Sequence, residues 1–503
     1  MMWWVLCGFS ALAAPPDPVL YRVLNPELAE AEARSAAASV VTTRPPEGTP
    51  WMLEPLPTLD VWTEGATRDA LAAEWFHASG HRGAGVKVGV VDLAWFGDSL
   101  EAALGYAPDS ADCWTHQSCE APIDIWRPRF GFEQGVHGLA CAEIVADIAP
   151  EAEVYAVRVN GLTTFENAVE WAIRHDIDIL SMSMSFFNTS FYDGRGPFGP
   201  LIERLAAHDI LLVTSAGNYA TQHWHGPWRD TDFDQRADLN GNDELLLDLN
   251  RGTRTVYVQW SEFRVCGTSD LSVVVRDRDG HIVGVSDDRQ RVGADNCAPT
   301  ERVQIQAAYS GTYRLSIEAN RVAGSGVDLD VFTTSGAIIN GTSQMSLTDP
   351  ASHPMAFVVG AVDVDGYLTN PAEPFSSRGP SRSGALKPDV AGPDGLDTLS
   401  FGPGGFFGTS AATPAVAGAI AVLMSSEPGL TAGEAADRLK ASAWGNASSP
   451  DGYSPDLGAG RVVLPVPDAT ALGCADGRAE SPLWLLLLLL PLRSHHVGER
   501  RDL

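Results

Sequence analysis

Basic residues are scarce in this chain: 34 Lys and Arg stand against 64 Asp and Glu, a formal net charge of −30. A surface this anionic repels phosphate backbones, which excludes nucleic acid as a partner and favours a well-solvated protein. Charge of either sign is modest, at 19%, beside 49 Gly and 33 Pro. That composition argues against a helical bundle and for a loop-rich exported protein. The leucine-rich run Leu483–Leu492 is too short to meet the ~20 residues that span a bilayer. The first apolar stretch, MMWWVLCGFSALAA, lacks the basic residues that usually precede a secretory signal.

Both ends still read as targeting segments. Residues 1–14 read as a signal peptide cut near Ala13 or Ala14, with an apolar anchor as the alternative. Residues 469–503 hold Cys474, the leucine run and a basic tail. They resemble the tripartite C-terminal sorting signals of some bacterial surface proteins; the alternative is a plain membrane anchor. Either way the protein is expected to be exported, secreted or held at the cell surface, with membrane association through this segment. The 7 cysteines fit that compartment. Cys113 and Cys119 are spaced to close a short loop, and Cys266 and Cys297 fall in one strand-rich region where they can pair. Cys141, in an apolar helical run, reads as a buried free thiol.

Residues 15–61 are rich in Pro and Ala and read as a pro-segment or a linker. From residue 62 the pattern changes. GAGVKVGVVDLAWFG is a continuous apolar strand ending at Asp92. VHGLACAEIVADIAPEAEVYAVRV gives a helix from His137 and then a strand, and two further helix–strand units follow up to Asn218. Strands alternating with helices predict an α/β fold, a mostly parallel sheet flanked by helices. Functional groups in such sheets lie beyond the carboxyl ends of the strands.

The stretch GGFFGTSAATPAVAGAIAVL places Thr409 and Ser410 at the mouth of an apolar segment. It predicts a helix buried all round, capped by the Thr-Ser pair, with Pro414 near enough to the start that its missing N–H costs little. A serine there sits where the helix dipole favours developing negative charge.

Four segments in this order resemble the subtilisin-like serine proteases: VGVVDL with Asp92, VHGLACAEI with His137, LLVTSAGN with Asn218, and GTSAATPAVAGAIAVL with Ser410. PMAFVVGAVD, FSSRGPS and LKPDVAGPD resemble family segments that precede the serine. The resemblance spans residues 62–220 and 347–468, the two parts of an expected catalytic domain. It implies a subtilisin-like fold and hydrolysis of peptide bonds in protein or peptide substrates through an acyl-enzyme, with no cofactor needed for the chemistry. Ser410 is then the nucleophile, His137 its base and acid, and Asp92 the group that orients the imidazole. Asn218 and the Ser410 N–H are the oxyanion donors. The specificity pocket is walled by Ser183, Met184 and Ser185 on one side and by Ala216 and Gly217 on the other. Small residues there leave room for a side chain, and no basic cluster favours an acidic one. One departure is Leu139, where the family usually has a Thr beside the histidine. The contrasting class is a catalytically inactive surface protein of the same fold that acts as a binding or adhesion module.

Residues 221–346 interrupt the family pattern. Short alternating runs such as TRTVYVQW, LSVVVRDR and TYRLSIEA, separated by turn signals, predict an inserted β-sandwich of about six or seven strands. Trp224 and Trp228 open it, placed either to rim the cleft or to pack the sandwich onto the catalytic domain. RDTDFDQRADLNGNDE follows, an acidic turn-rich stretch that suits a structural Ca²⁺ or simply a solvated loop. It fixes no metal ligand set.

Overall fold

The computed structural model describes residues 70–95, 109–113, 119, 123, 135–263, 268–290, 298–322, 326–445 and 452–465, with the backbone of four short strands between 21 and 59. The terminal targeting segments and the Cys266–Cys297 pairing expected from the sequence lie outside these residues. Of the four early strands, β1 (Tyr21–Leu24) lies antiparallel between β2 (Ser39–Thr42) and β3 (Trp51–Leu53). The last, β4 (Pro57–Leu59), pairs elsewhere.

Then the α/β alternation begins. Helix α1 (Ala73–Ala78) leads into β5 (Lys87–Asp92) and β6 (Ser110–Asp112). Next come α2 (His137–Ile148), β7 (Glu153–Arg158), α3 (Leu162–Arg174), β8 (Ile179–Met182) and β9 (Met184–Phe186). Helix α4 (Gly199–Ala206) and β10 (Leu211–Ser215) close this half. The disulfide Cys113–Cys119 closes the short loop after β6, and Cys141 is a buried free thiol, both as the spacing suggested.

Nine strands follow before the alternation resumes: β11 (His223–Pro227), β12 (Leu245–Leu249), β13 (Gly252–Trp260), β14 (Asp270–Arg276), β15 (Ile282–Ser286), β16 (Thr300–Ala307), β17 (Gly311–Arg321), β18 (Asp328–Thr333) and β19 (Ala337–Ile339). They form one four-stranded antiparallel sheet, β11-β18-β13-β16, and one five-stranded, β15-β14-β17-β12-β19. Burial alternates along β12 and β16, and the inward side chains of both sheets meet in one core around Trp260, Val273, Ile305 and Tyr313. The sequence under-counted these strands because HWHGP of β11 and AII of β19 carry no alternation long enough to read.

The chain returns through β20 (Phe357–Asp363), β21 (Val390–Asp394), the hairpin β22 (Leu396–Thr398) and β23 (Gly402–Phe406), then α5 (Thr409–Ser426) and α6 (Ala432–Ala441). The main sheet has seven strands in the order β21-β20-β10-β8-β5-β7-β6, every pairing parallel. Its two faces carry separate cores. Val88, Val90 and Val213 point to the face covered by α2, α5 and α6; Val91, Leu180 and Leu212 point to that covered by α3 and α4. Such a sheet is buried on both sides, which is why its strands read as unbroken apolar runs. All nine antiparallel strands lie in the connection between β10 and β20, which are neighbours in the sheet.

Trp224 and Trp228 do neither of the things expected of them. Trp224 is buried in the core between the antiparallel sheets, its Nε1 donating to Asn240 Oδ1 (3.0 Å), and Trp228 packs against the same core. The aromatic part of the contact with the parallel sheet's half is made instead by Phe187, Tyr192, Tyr219, Tyr257 and Phe332, with Phe187 stacked on Tyr257 at 4.6 Å.

Candidate active site

Asp92 ends β5, fully buried, at the carboxyl edge of the sheet. Its Oδ1 accepts from Ala94 N–H (2.9 Å), and its Oδ2 from His137 Nδ1–H (2.6 Å). His137 opens α2, and the tight approach of that helix to β5 depends on its second residue. A Cβ on Gly138 would sit 2.8 Å from both the Asp92 Cβ and the Trp95 ring, so only glycine fits. The other ring nitrogen, Nε2, is buried without a partner. Burial opposes a charged ring, yet the adjacent Asp92 carboxylate holds His137 well above the ordinary imidazole range. The Phe406 ring meets the imidazole edge-on at 5.3 Å.

Ser410 is the second residue of α5, and the cap differs from the one the sequence suggested. The N-cap is Gly408, at φ +98, a left-handed conformation that favours glycine over Thr or Ser. Gly408 N–H donates to Asp394 Oδ2 (3.1 Å), whose carboxyl burial pushes up to about 8. Pro414 is also deeper than expected. As the sixth helical residue it lies beyond the free N-terminal amides and removes the bond that Ser410 C=O would accept. That carbonyl accepts instead from Ser183 Oγ (3.1 Å) and Cys141 Sγ (3.6 Å). The Ser410 hydroxyl is buried with no partner.

Asn218 follows β10. Its Oδ1 accepts from both Thr409 N–H (3.1 Å) and Thr409 Oγ1 (3.0 Å), which fixes the amide and leaves its Nδ2 buried and unpartnered. Gly217, at φ +95, makes the turn, and its N–H donates to Thr409 Oγ1 (3.2 Å). One threonine thus ties Asn218 to Ser410.

The expected pocket residues divide. Ser183 supports the Ser410 carbonyl. Met184 and Ala216 face the core beneath the sheet rather than open space. Ser185 lies in β9, whose backbone pairs antiparallel with β4: Pro57 with Phe186, Thr58 with Ser185, Leu59 with Met184. Leu139 packs in the core. Thr409, Phe406 and Cys141 touch the site residues without having been singled out for them, and Glu143 holds the hairpin that carries Phe406. Cys141 Sγ lies 4.0 Å from His137 Nδ1, and burial pushes its thiol up, which marks it as packing and not as a second nucleophile.

A buried hydroxyl, a carboxylate-oriented imidazole and an anchored amide on a parallel α/β sheet are the group types that a serine peptidase uses. The family follows from comparison with known proteins. The profile of the subtilase (peptidase S8) family matches residues 102–241 and 319–462, more than half of the chain, and the chain belongs to that family. The unmatched interval between those segments falls inside the antiparallel unit. Bacillopeptidase F of Bacillus subtilis (strain 168) is 32% identical over 143 residues, 26% of this chain and 10% of that protein, so the match spans about a tenth of the relative's length. The CspB protease of Clostridium perfringens is similar in fold, with a TM-score of 0.53 at 16% identity over 78% of this chain and 96% of that one. The structure of MycP1 with the N-terminal propeptide removed aligns at a TM-score of 0.40 and 16% identity, over 79% of this chain and 96% of that one.

Proposed function

We infer that this chain is an exported serine endopeptidase acting through Asp92, His137 and Ser410. One observation carries the reading. His137 Nε2, Asn218 Nδ2 and Ser410 Oγ are all buried and all lack a protein partner. Folded proteins satisfy nearly all such groups, and each one left open calls for an explanation, a catalytic role among them. Here the three are a base, an oxyanion donor and a nucleophile.

The chemistry follows from the placement of each group. Ser410 Oγ attacks the scissile carbonyl carbon while His137 Nε2 takes its proton. Asp92 fixes the tautomer and stabilises the imidazolium. Negative charge on the former carbonyl oxygen meets Asn218 Nδ2–H and the Ser410 N–H, one of the amides that α5 leaves free in its first turn. His137 then gives its proton to the leaving amine, whose C–N bond breaks to leave an acyl ester on Ser410. Water, deprotonated by the same imidazole, hydrolyses that ester.

The pairing of β4 with β9 supports an extended peptide as substrate. Among the described residues β9 takes β4 in antiparallel register and otherwise only a single bridge from Phe186 to Asp349, so β4 marks the edge at which an extended backbone can add. Residues 57–59 lie on that edge, which supports a pro-segment role for residues 15–61 over that of a linker. The terminal segments support export and surface attachment. A structural Ca²⁺ is proposed for the antiparallel unit, where Asp230, Asp232 and Asp234 bring carboxylate oxygens within 4.8 Å of one another.

The test is labelling by a fluorophosphonate. The mature protein is expected to be labelled on Ser410, and both Ser410→Ala and His137→Ala to abolish the signal. Undiminished labelling of folded Ser410→Ala overturns the assignment, and an unlabelled wild-type protein favours the binding-module alternative.

A further inference from the structure

Among the described residues the polar neighbours of the His137 imidazole, Asp92 Oδ2 at 2.6 Å and Cys141 Sγ at 4.0 Å, both lie at Nδ1. A ring held at a single atom is free to tilt about that bond. The residue usual in the family beside it, a threonine, is here Leu139, turned into the core. What limits the ring on its other side is the edge-on ring of Phe406, and Phe406 is only as fixed as the hairpin that carries it.

That hairpin is fastened by one buried side chain. Glu143 lies on α2, the helix that His137 opens, and is only 5% exposed. Its Oε2 accepts from Leu399 N–H (2.7 Å) and Ser400 N–H (3.2 Å), and its Oε1 from Ser400 Oγ–H (2.5 Å). These three donors form the tip between β22 and β23. Phe401, next in the chain, stacks on Phe406 at 5.0 Å and an interplanar angle of 24°. Phe406 pairs across the hairpin with Leu396 and runs within four residues into Ser410. A carboxylate buried in an apolar helix is costly unless its acceptor sites are filled, and here they are filled from one loop alone.

We propose that Glu143 is a positioning residue for the reaction: it locks the hairpin leading to the nucleophile onto the helix that carries the base. Through Phe401 and Phe406 it fixes the tilt of the imidazole, and through the chain after β23 the place of Ser410 relative to Nε2. This deepens the protease reading and rests on it. Glu143 touches neither substrate nor reacting atoms.

The experiment compares wild type with Glu143→Gln, Glu143→Ala and Ser400→Ala. Turnover of a short peptide anilide is measured together with the low-field proton NMR resonance of the His137–Asp92 bond. A misplacement of about 1 Å costs on the order of 10²-fold in rate. Glu143→Ala is therefore expected to lose about 10²-fold in kcat with KM unchanged, and Ser400→Ala and Glu143→Gln, which keep part of the clasp, about tenfold. The low-field resonance should move or broaden in the same order. If Glu143→Ala does not fold, the two milder variants decide the question. Folded variants with wild-type kcat, or a loss confined to KM, or an unmoved resonance beside a lowered kcat, overturn the proposal. The resonance also separates the two readings: if wild type turns nothing over but the signal shifts in Glu143→Gln, the enzyme reading fails and the positioning role stands. An inactive wild type with an unmoved signal ends both.

Discussion

Among the described residues there are two fully buried Asp–His pairs, one in each of the molecule's differently built parts. In the parallel part, His137 Nδ1 donates to Asp92. In the antiparallel part, His223 Nε2 lies 3.0 Å from Asp330 Oδ1, with both side chains fully buried. By composition and burial they are alike, yet their protons behave in opposite ways. His137 is held above the ordinary imidazole range. Burial lowers His223 despite its carboxylate, and Arg382, which shares Asp330, adds a smaller repulsion of a second cation. The free edges differ as well. His223 Nδ1 meets Thr342 C=O at 2.6 Å, so both its nitrogens have a polar neighbour, whereas His137 Nε2 is buried without a hydrogen-bond partner. A carboxylate–imidazole pair becomes a base only when no other cation satisfies the carboxylate and the far nitrogen is left open. The second pair is a clamp: Arg382, from the catalytic part, reaches into the antiparallel unit to neutralise Asp330.

The comparison can be broken at several points. The largest effect is expected from Asp92→Asn, which keeps the shape but inverts the tautomer; kcat at neutral pH should fall about 10⁴-fold, as in other Ser-His-Asp enzymes. Initial rates on a peptide ester measure it, and the matching change, Asp330→Asn, should leave them within a few-fold. The second cut is Arg382→Met. It leaves the Asp330 charge buried without its main partner and should destabilise the fold by about 3–5 kcal/mol, read by urea unfolding. In the same variant the His223 pKa should rise, since the repulsion from the guanidinium is gone while the depression by burial stays. Asn218→Ala comes third, with a loss of about 10²–10³ in kcat, a magnitude established in this same protein family.

The smallest effects are those of pH. Catalysis needs neutral His137, so activity should develop on the alkaline side of the ordinary imidazole value, and a bell or step centred below 6.5 contradicts the raised pKa. The protonated His137 also stabilises the fold, fully so below its unfolded value and no longer once pH rises through its raised folded value. His223 works the other way. Its folded pKa is depressed, so stability falls as pH drops below 6.5, by no more than about 1.4 kcal/mol per pH unit, and His223→Gln should flatten that slope.

Legibility in the sequence followed the same divide. Asp92, His137, Asn218 and Ser410 stand in short strings at strand or helix ends, where local pattern and position coincide. Their supports did not show. Glu143 is one acid in an apolar helix, and nothing local says that a loop more than 250 residues later fills its oxygens. Thr409 was read as a cap because its type favours that role, while its actual work is to hold Asn218 by its amide and hydroxyl. Met184 was placed on a pocket wall because strand position is readable, but the face a side chain takes depends on the sheet beneath it. The two tryptophans were misassigned for a related reason. A large apolar side chain shows that something will be covered, not which core it joins. His223 and Asp330 were silent, since their partner Arg382 comes from beyond the insertion.

The ends of the antiparallel unit are tied to each other: Ile338 N–H donates to Thr221 C=O (2.9 Å) and Thr342 N–H to His223 C=O (2.8 Å). This bears on how the chain assembles. β10 and β20 must find each other in parallel across more than 140 residues, a closure whose entropic cost grows with the length of free chain between them. If the nine intervening strands condense first, that span shrinks to the few residues on either side of the knot. The unit then works during folding as a jig, delivering β20, and the nucleophile's helix after it, to the edge of a half-built sheet. On that order of assembly, α5 and Ser410 join the sheet only after the antiparallel unit has condensed.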